Sequence, residues 1–250
     1  MAKIIAVANQ KGGVAKTSST FILADNLASK GYKVLMVDFD SQASLTISCG
    51  IEPSEVDTID SYLLNDEDLE EIIISGICDK ENLCLIPSDI TLAVVEQQLY
   101  TQMCRESYLK SRLDSVASKF DYILIDCSPS LGVLTINPLV ASDYVIIPST
   151  PEYLAYRGID LLYDTIAKVK QKLNNKLQIV GVFVTMFDTR PLHHREVIDL
   201  IRKNYKLLGI IGTSTIVRDS ILQGKSVHSV SPKHKITLQY EVIAKEIIKL

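Results

Sequence analysis

Lys16 and Thr17 place a primary ammonium and a hydroxyl side by side at the end of a loop that contains Gly12 and Gly13. Glycines there let successive backbone N–H groups turn inward, and a helix starting at residue 17 adds about half a positive charge at its N-terminus. A polyphosphate fits such a cradle. Lys11, Gly12, Gly13, Val14, Ala15, Lys16, Thr17 and Ser18 would surround it, with Lys16 reaching the β- and γ-phosphates and the Thr17 hydroxyl holding Mg²⁺. Two further carboxylates end apolar runs, Asp38 after residues 34–37 and Asp126 after residues 122–125. At the C-terminal end of a parallel strand a carboxylate faces the ligand crevice. Asp126 is therefore a second expected Mg²⁺ ligand, direct or through water. Asp38 reads equally well as a crevice residue and as a turn or helix-capping residue.

For these groups to converge, strands must deliver them to one edge. Residues 4–7 are a continuous apolar run of the kind buried on both faces of a parallel sheet, and residues 17–30 carry Leu23, Ala24, Leu27 and Ala28 at helical spacing before Gly31. Further strands are predicted at residues 34–37, 83–87, 122–126, 144–148, 178–185 and 207–211. One or two helices are predicted within residues 90–119. Another helix shows Leu162, Ile166, Val169 and Leu173 on one face, and a helix at residues 193–205 offers Val197, Ile198, Ile201 and Tyr205 to the core. A closing helix presents Tyr240, Ile243, Ala244, Ile247 and Ile248. Residues 50–82 are acidic and irregular, and Asp66, Glu67, Asp68, Glu70 and Glu71 suggest a solvated helical face. Strands alternating with helices make this an α/β chain, a mainly parallel twisted sheet with helices on both faces, in a single domain over residues 1–250.

Composition narrows the classes. The chain of 250 residues is 47% apolar, enough for a full core. Its longest nearly apolar stretch, residues 179–187, is shorter than the roughly twenty residues that span a bilayer. Asn9, Gln10 and Lys11 cut the N-terminal apolar run short of a secretory signal, so a cytoplasmic protein is expected. The five cysteines (Cys49, Cys78, Cys84, Cys104, Cys127) show no C-x-x-C pair, which suits free thiols in a reducing compartment. His193 and His194 would point about 100° apart on a helix and make a poor metal pair. Thirty acidic against 26 basic residues give a net charge of -4, so any nucleic-acid contact would need a local basic patch.

The ordinary pattern G-x-x-x-x-G-K-[ST] is not met, because Gln10 and Ala15 occupy its glycine positions. The pattern K-G-G-x-x-K-[ST] that is present resembles the deviant Walker A motif of the ParA/MinD ATPases, in which Lys11 is the additional lysine. Asp38-Phe39-Asp40-Ser41-Gln42 resembles the family's D-x-D-P-Q, with serine for proline. That implies a role for Asp40 in positioning the attacking water. Residues 126–132 resemble D-x-x-P-x-x-G, residues 134–137 L-T-x-N, and residues 185–190 T-M-x-D-x-R. Counting back from Gly224, Ile211-Gly212-Thr213-Ser214 stands where the family carries I-P-R-N, which puts Gly212 and Ser214 beside the adenine. The arginine is missing there, with Arg218 five residues on.

The resemblance covers nearly the whole chain and is to the ParA/Soj-type DNA-partition ATPases, on a P-loop NTPase fold. It implies ATP and Mg²⁺ as cofactors, with Lys11, Lys16 and Asp40 as the catalytic groups. It further implies an ATP-dependent homodimer bridged through Lys11, non-specific DNA binding with nucleoid association, and a ParB-type partner that stimulates hydrolysis. The candidate DNA contacts are Arg190, Lys203, Arg218, Lys225 and Lys233. A MinD-like membrane organiser is the first alternative; it needs a basic amphipathic anchor, whereas the closing apolar stripe suits the core, so no membrane partner is expected. An ATP-dependent small-molecule enzyme is the second. Its nitrogenase-type iron-protein form needs paired cysteines beyond the 126–132 loop, and Val133 and its neighbours provide none. No helix-turn-helix extension is seen, so operator-specific autoregulation is not expected.

Overall fold

Continuous apolar runs form the centre of the molecule. In the computed structural model, which describes residues 1–65, 67–130 and 132–250, they become β1 (Lys3–Val7), β2 (Val34–Phe39), β3 (Leu83–Ile86) and β4 (Tyr122–Cys127). β5 (Tyr144–Ser149), β6 (Gln178–Phe187) and β7 (Leu207–Gly212) complete a seven-stranded sheet ordered β3-β2-β4-β1-β5-β6-β7. All paired strands are parallel, as expected. Asp66 of the acidic run and Leu131 of the 126–132 loop lie outside the described residues.

The connections supply α1 (Lys16–Ser29), the short α2 (Ser44–Ser48) and α3 (Ile59–Leu63), then α4 (Leu92–Leu99), α5 (Tyr108–Val116) and α6 (Val133–Ala141). After these come α7 (Tyr153–Lys172), α8 (Leu192–Asn204), the short α9 (Ile216–Ile221) and α10 (Val227–Val230), and α11 (Lys235–Ile248). Side chains alternate across β1 because successive Cβ atoms point to opposite faces. Ile5 and Val7 join Leu23 and Leu27 of α1 and Tyr240, Ile243 and Ile247 of α11 in one layer. Ile4 and Ala6 join Leu113, Leu139, Ile159 and Ile166 in the other. The chain builds leftward from β1 to β2 and β3, then returns and builds rightward, so β1 sits at the switch of direction. A crevice opens beyond the strand C-termini at such a point.

Several expected details differ. Leu162, Ile166 and Val169 are buried, but Leu173 is 48% exposed, because α7 stops at Lys172 and the backbone of Leu173 leaves the helical region. Tyr205 is half-buried, with its hydroxyl donating to Asp160, and Ile248 is half-buried beside the α11 stripe. The acidic segment holds α3 and isolated helical turns at Pro53–Glu55, Leu69–Ile72 and Ile77–Asp79, with Glu67, Asp68, Glu70 and Glu71 exposed around the second of these turns. Leu69 and Ile72 bury themselves in the core, and Glu70 pairs with Lys119. None of the five cysteines forms a disulfide.

Gly181 marks a bulge in β6. Ile179 pairs with Val145 and Gly181 with Ile146, leaving Val180 as the extra residue. A Cβ on Gly181 would stand 2.5 Å from the Lys206 carbonyl oxygen and 2.8 Å from the Leu208 side chain. Gly181→Ala should therefore lower stability by roughly 1–3 kcal/mol in urea unfolding. An unchanged midpoint would mean that β7 can slide away without cost.

Candidate functional site

The loop after β1 is fixed from both sides before it turns into α1. Asn9 is buried, its Nδ2 donates to the Pro148 carbonyl at 2.6 Å, and its Oδ1 accepts from the Lys11 backbone N–H at 2.9 Å. From β6, the Thr185 hydroxyl donates to the Val14 carbonyl at 3.1 Å. Gly13 and Ala15 both have positive φ, 72° and 63°. Ala15 thus holds a left-handed conformation that costs an L-residue about 1–2 kcal/mol, in the position where the ordinary loop carries glycine.

Lys16 opens α1 and is only 7% exposed. Its Nζ donates to the Lys11 carbonyl at 3.2 Å. Burial pushes its pKa down, while Asp126 and, more weakly, Asp40 pull it back up. Asp126 sits opposite Val7 of β1 and Asp38 of β2 in the strand registers and is 1% exposed. Neither of its carboxylate oxygens has a hydrogen-bond partner. Burial, then the nearby Asp38, pushes its pKa well above the usual carboxylate range; Thr17 and Lys16 oppose this. The Thr17 hydroxyl faces Asp126 closely enough to ease the charge without completing a hydrogen bond. Gln10 Nε2 and Thr150 Oγ1 are likewise buried and unpartnered, at the ends of β1 and β5. Buried polar groups without partners are rare in folded proteins and call for a ligand, ion or water. An oxygen-lined position between a hydroxyl and a carboxylate beside a phosphate cradle fits Mg²⁺, which keeps few protein ligands and takes phosphate oxygens.

Asp38 resolves toward the structural reading. It is fully buried, and its Oδ2 accepts from the Thr46 backbone N–H at 2.9 Å and the Thr46 hydroxyl at 2.8 Å, inside α2. Burial outweighs these bonds and raises its pKa to about 6. Thr46 Oγ1 in turn accepts from Ser88 N–H at 3.0 Å, and the Ser88 hydroxyl donates to the Asp40 carbonyl at 3.0 Å. These bonds hold the 38–46 loop where Ser41 supplies no proline rigidity. Asp40 is half-buried, with Oδ1 accepting from Gln42 N–H at 3.2 Å. Lys11 forms an ion pair with Glu152, just before α7, both side chains being partly exposed.

Gly212 and Ser214 line a cavity of about 220 Å³ together with Ala15, Ser18, Tyr240 and Arg218. The Gly212 N–H is already held by Gln239 Oε1 at 3.0 Å. The five basic residues expected to touch DNA have different surroundings. Arg218 lines this cavity. Arg190 grips Asp188, with Nε 2.9 Å from Oδ2, and this holds the Asp188 pKa at about 2. Lys225 pairs with Asp79 at 2.5 Å. Lys203 and Lys233 are exposed, and Lys203 stands in the last turn of α8, about 16 Å along the helix from its first residue, Leu192, at 1.5 Å per helical residue. Asn9, Thr185, Glu152 and Gln239 were not singled out by sequence reasoning. Only Asn9 and Thr185 left a signal, one flanking the glycine loop and the other opening the T-M-x-D-x-R stretch.

Comparison with known proteins agrees with this geometry. A family model described as an AAA domain matches residues 2–179. The sporulation initiation inhibitor protein Soj of Bacillus subtilis is 39% identical over 251 residues, covering 99% of this chain and 98% of Soj. The chain belongs to the ParA/Soj family of P-loop ATPases. A putative plasmid partition protein from Borrelia burgdorferi, solved with AMPPNP, superposes with a TM-score of 0.84 at 32% identity, over 100% of this chain and 99% of that one. Cobyrinic acid a,c-diamide synthase from Mycobacterium smegmatis, solved with an ATP analogue and magnesium, gives 0.84 at 33% identity, over 100% and 95% of the two chains. The fold and family expected from the motifs are thus met.

Asp126→Asn replaces an unpartnered buried carboxylate with a neutral group of the same shape. The nucleotide-free protein should gain about 1–3 kcal/mol of stability at pH 7 in urea unfolding. A loss would show that the carboxylate is paired.

Proposed function

We propose that this chain is a Mg²⁺-dependent partition ATPase that dimerises on ATP, binds DNA without sequence preference, and is released when a ParB-type partner stimulates hydrolysis. The observation that carries this reading is the buried, unpartnered Asp126 carboxylate beside Thr17 and Lys16 at the end of the glycine loop. It is supported by the names of the relatives, Soj and plasmid partition proteins, and by the nucleotides in their structures. Magnesium bound there supplies charge neutralisation to the β- and γ-phosphates. Thr17 and Asp126 would hold it. The backbone of Gly12 to Ser18 cradles the phosphates, Lys16 neutralises them from within the chain, and Gly212 and Ser214 flank the base. Asp40, with its loop braced by Ser88, positions the attacking water.

Lys11 has a second task on this reading. It exchanges Glu152 for phosphates across the dimer, so that nucleotide joins two chains. The apolar stripe of α11 is not free to act as a membrane anchor, because Tyr240, Ile243, Ala244 and Ile247 are buried against the sheet. Among the described residues no helix is long and apolar enough to cross a membrane. The small-molecule reading keeps one specific support, the likeness to cobyrinic acid a,c-diamide synthase. ATP turnover measured with DNA plus partner against turnover with candidate metabolites separates the two.

Asp40→Ala should retain ATP binding and dimerisation while lowering turnover by roughly 10²-fold or more, as loss of a group that positions the nucleophile does. Wild-type turnover would assign that role elsewhere. Lys16→Ala should abolish productive ATP·Mg²⁺ binding, whereas Lys11→Ala should keep monomeric binding within a few-fold and lose the ATP dimer, as read by light scattering. A stable ATP dimer of the latter would make Lys11 a surface residue. DNA affinity should require ATP and fall with salt; if each subunit neutralises about three phosphates, log affinity against log salt has a slope near -5. An ATP dimer without DNA affinity at low salt would remove the partition reading.

A further inference from the structure

One fully buried carboxylate outside the phosphate site holds a segment that has little else to hold it. Asp25 lies about two turns along α1 from Ser18 and has no exposure to solvent. Its Oδ1 accepts from the Lys80 ammonium, and its Oδ2 from the hydroxyls of Ser226 and Ser229, the latter at 2.8 Å. Lys80 also donates to the Ser229 hydroxyl at 2.7 Å, the Ser226 N–H reaches Cys78 Sγ at 3.5 Å, and Asn26 Nδ2 donates to His228 Nδ1 at 3.3 Å. These bonds tie α10 to α1 and to the turn at residues 76–80.

α10 belongs to the stretch between β7 and α11, residues 213–231, whose two ends are fixed elsewhere. At one end the Thr213 N–H donates to the Phe187 carbonyl at 3.2 Å, and at the other the Thr237 hydroxyl donates to the Ser231 carbonyl at 2.8 Å. Of the apolar side chains between them only Val227 is buried, and Leu222 is 87% exposed. Apolar burial is lost outright when a segment lifts, whereas polar bonds trade for bonds to water at a small net change. The stretch is therefore held mainly by Asp25 and its partners, in the low range of local opening free energies. Ser214, Val217 and Arg218 of the same stretch line the cavity that starts at Ala15 and Ser18. We infer that Asp25 is the latch of a strap, residues 213–231, and that releasing the latch opens this cavity. Lys16 and Asp25 stand on one helix, which ties the latch to the phosphate cradle. This deepens the proposed nucleotide function and rests on it.

The test is hydrogen exchange of the full chain without nucleotide, together with the release rate of a fluorescent ATP analogue bound with Mg²⁺. In the wild type, amides of residues 216–230 should exchange faster than those of α1 and α11. Asp25→Asn keeps the shape and removes the charge; it should speed exchange of residues 216–230 about tenfold or more, the size expected for one lost hydrogen bond to a charged group, with β1 and β4 unchanged. Nucleotide release should quicken severalfold. Ser229→Ala removes two of the bonds without placing a new group beside Lys80, and it should move both readouts the same way, which keeps the test open where Asp25→Asn fails to fold. Unchanged exchange in the variants, a uniform rise over the whole chain, or faster local exchange with wild-type release would each overturn the inference and leave the nucleotide site standing. A wild type that binds no nucleotide would remove the proposed function and with it the gating, while the exchange readout would still decide the latch.

Discussion

Uncompensated charge at the C-terminal edge of the sheet is the constraint on which the site depends. Asp38 and Asp126 face each other across β2 and β4, both fully out of solvent, and Lys16 is almost as deeply placed. Removing a carboxylate from water costs several kcal/mol unless it is paired. Asp38 offsets part of that cost through the N–H and hydroxyl of Thr46. Asp126 does not, and its pKa rises accordingly. A fold that keeps such a group stores a preference for whatever cation and phosphate oxygens enter beside Thr17.

The loop geometry follows from the same edge. A parallel sheet turns all its strand ends one way, so β1, β5 and β6 can all reach the glycine loop at once. Asn9 ties it to the Pro148 carbonyl and Thr185 ties it to Val14. Directly after the second anchor Ala15 is held at φ 63°. The strain is tolerated because hydrogen bonds over-determine the loop, and it turns the first N–H groups of α1 toward the phosphate position.

Charge on the outer surface is organised differently from charge in the site. Lys11, Arg190 and Lys225 each have a carboxylate partner, in Glu152, Asp188 and Asp79. Exposed pairs of this kind contribute little to stability and exchange partners readily. They leave these side chains able to exchange their carboxylates for another anion at small cost.

The glycine loop, its lysine and hydroxyl, and the apolar runs ending in aspartate were legible in the sequence because each depends on neighbours within a few residues. Strand burial on both faces and helical spacing are local periodicities, and they fixed the parallel α/β architecture. The pairing of Lys11 with Glu152 spans 141 residues, and that of Thr185 with Val14 spans 171. No local pattern records such contacts, since they arise only when strands distant in the chain bring their ends to one edge. The same assembly decided that Asp38 braces α2, that Arg218 comes to the cavity beside Ala15 and Gly212, and that Leu173 falls outside the core where α7 stops. Residue type set what each side chain can do; the sheet order determined which of them meet.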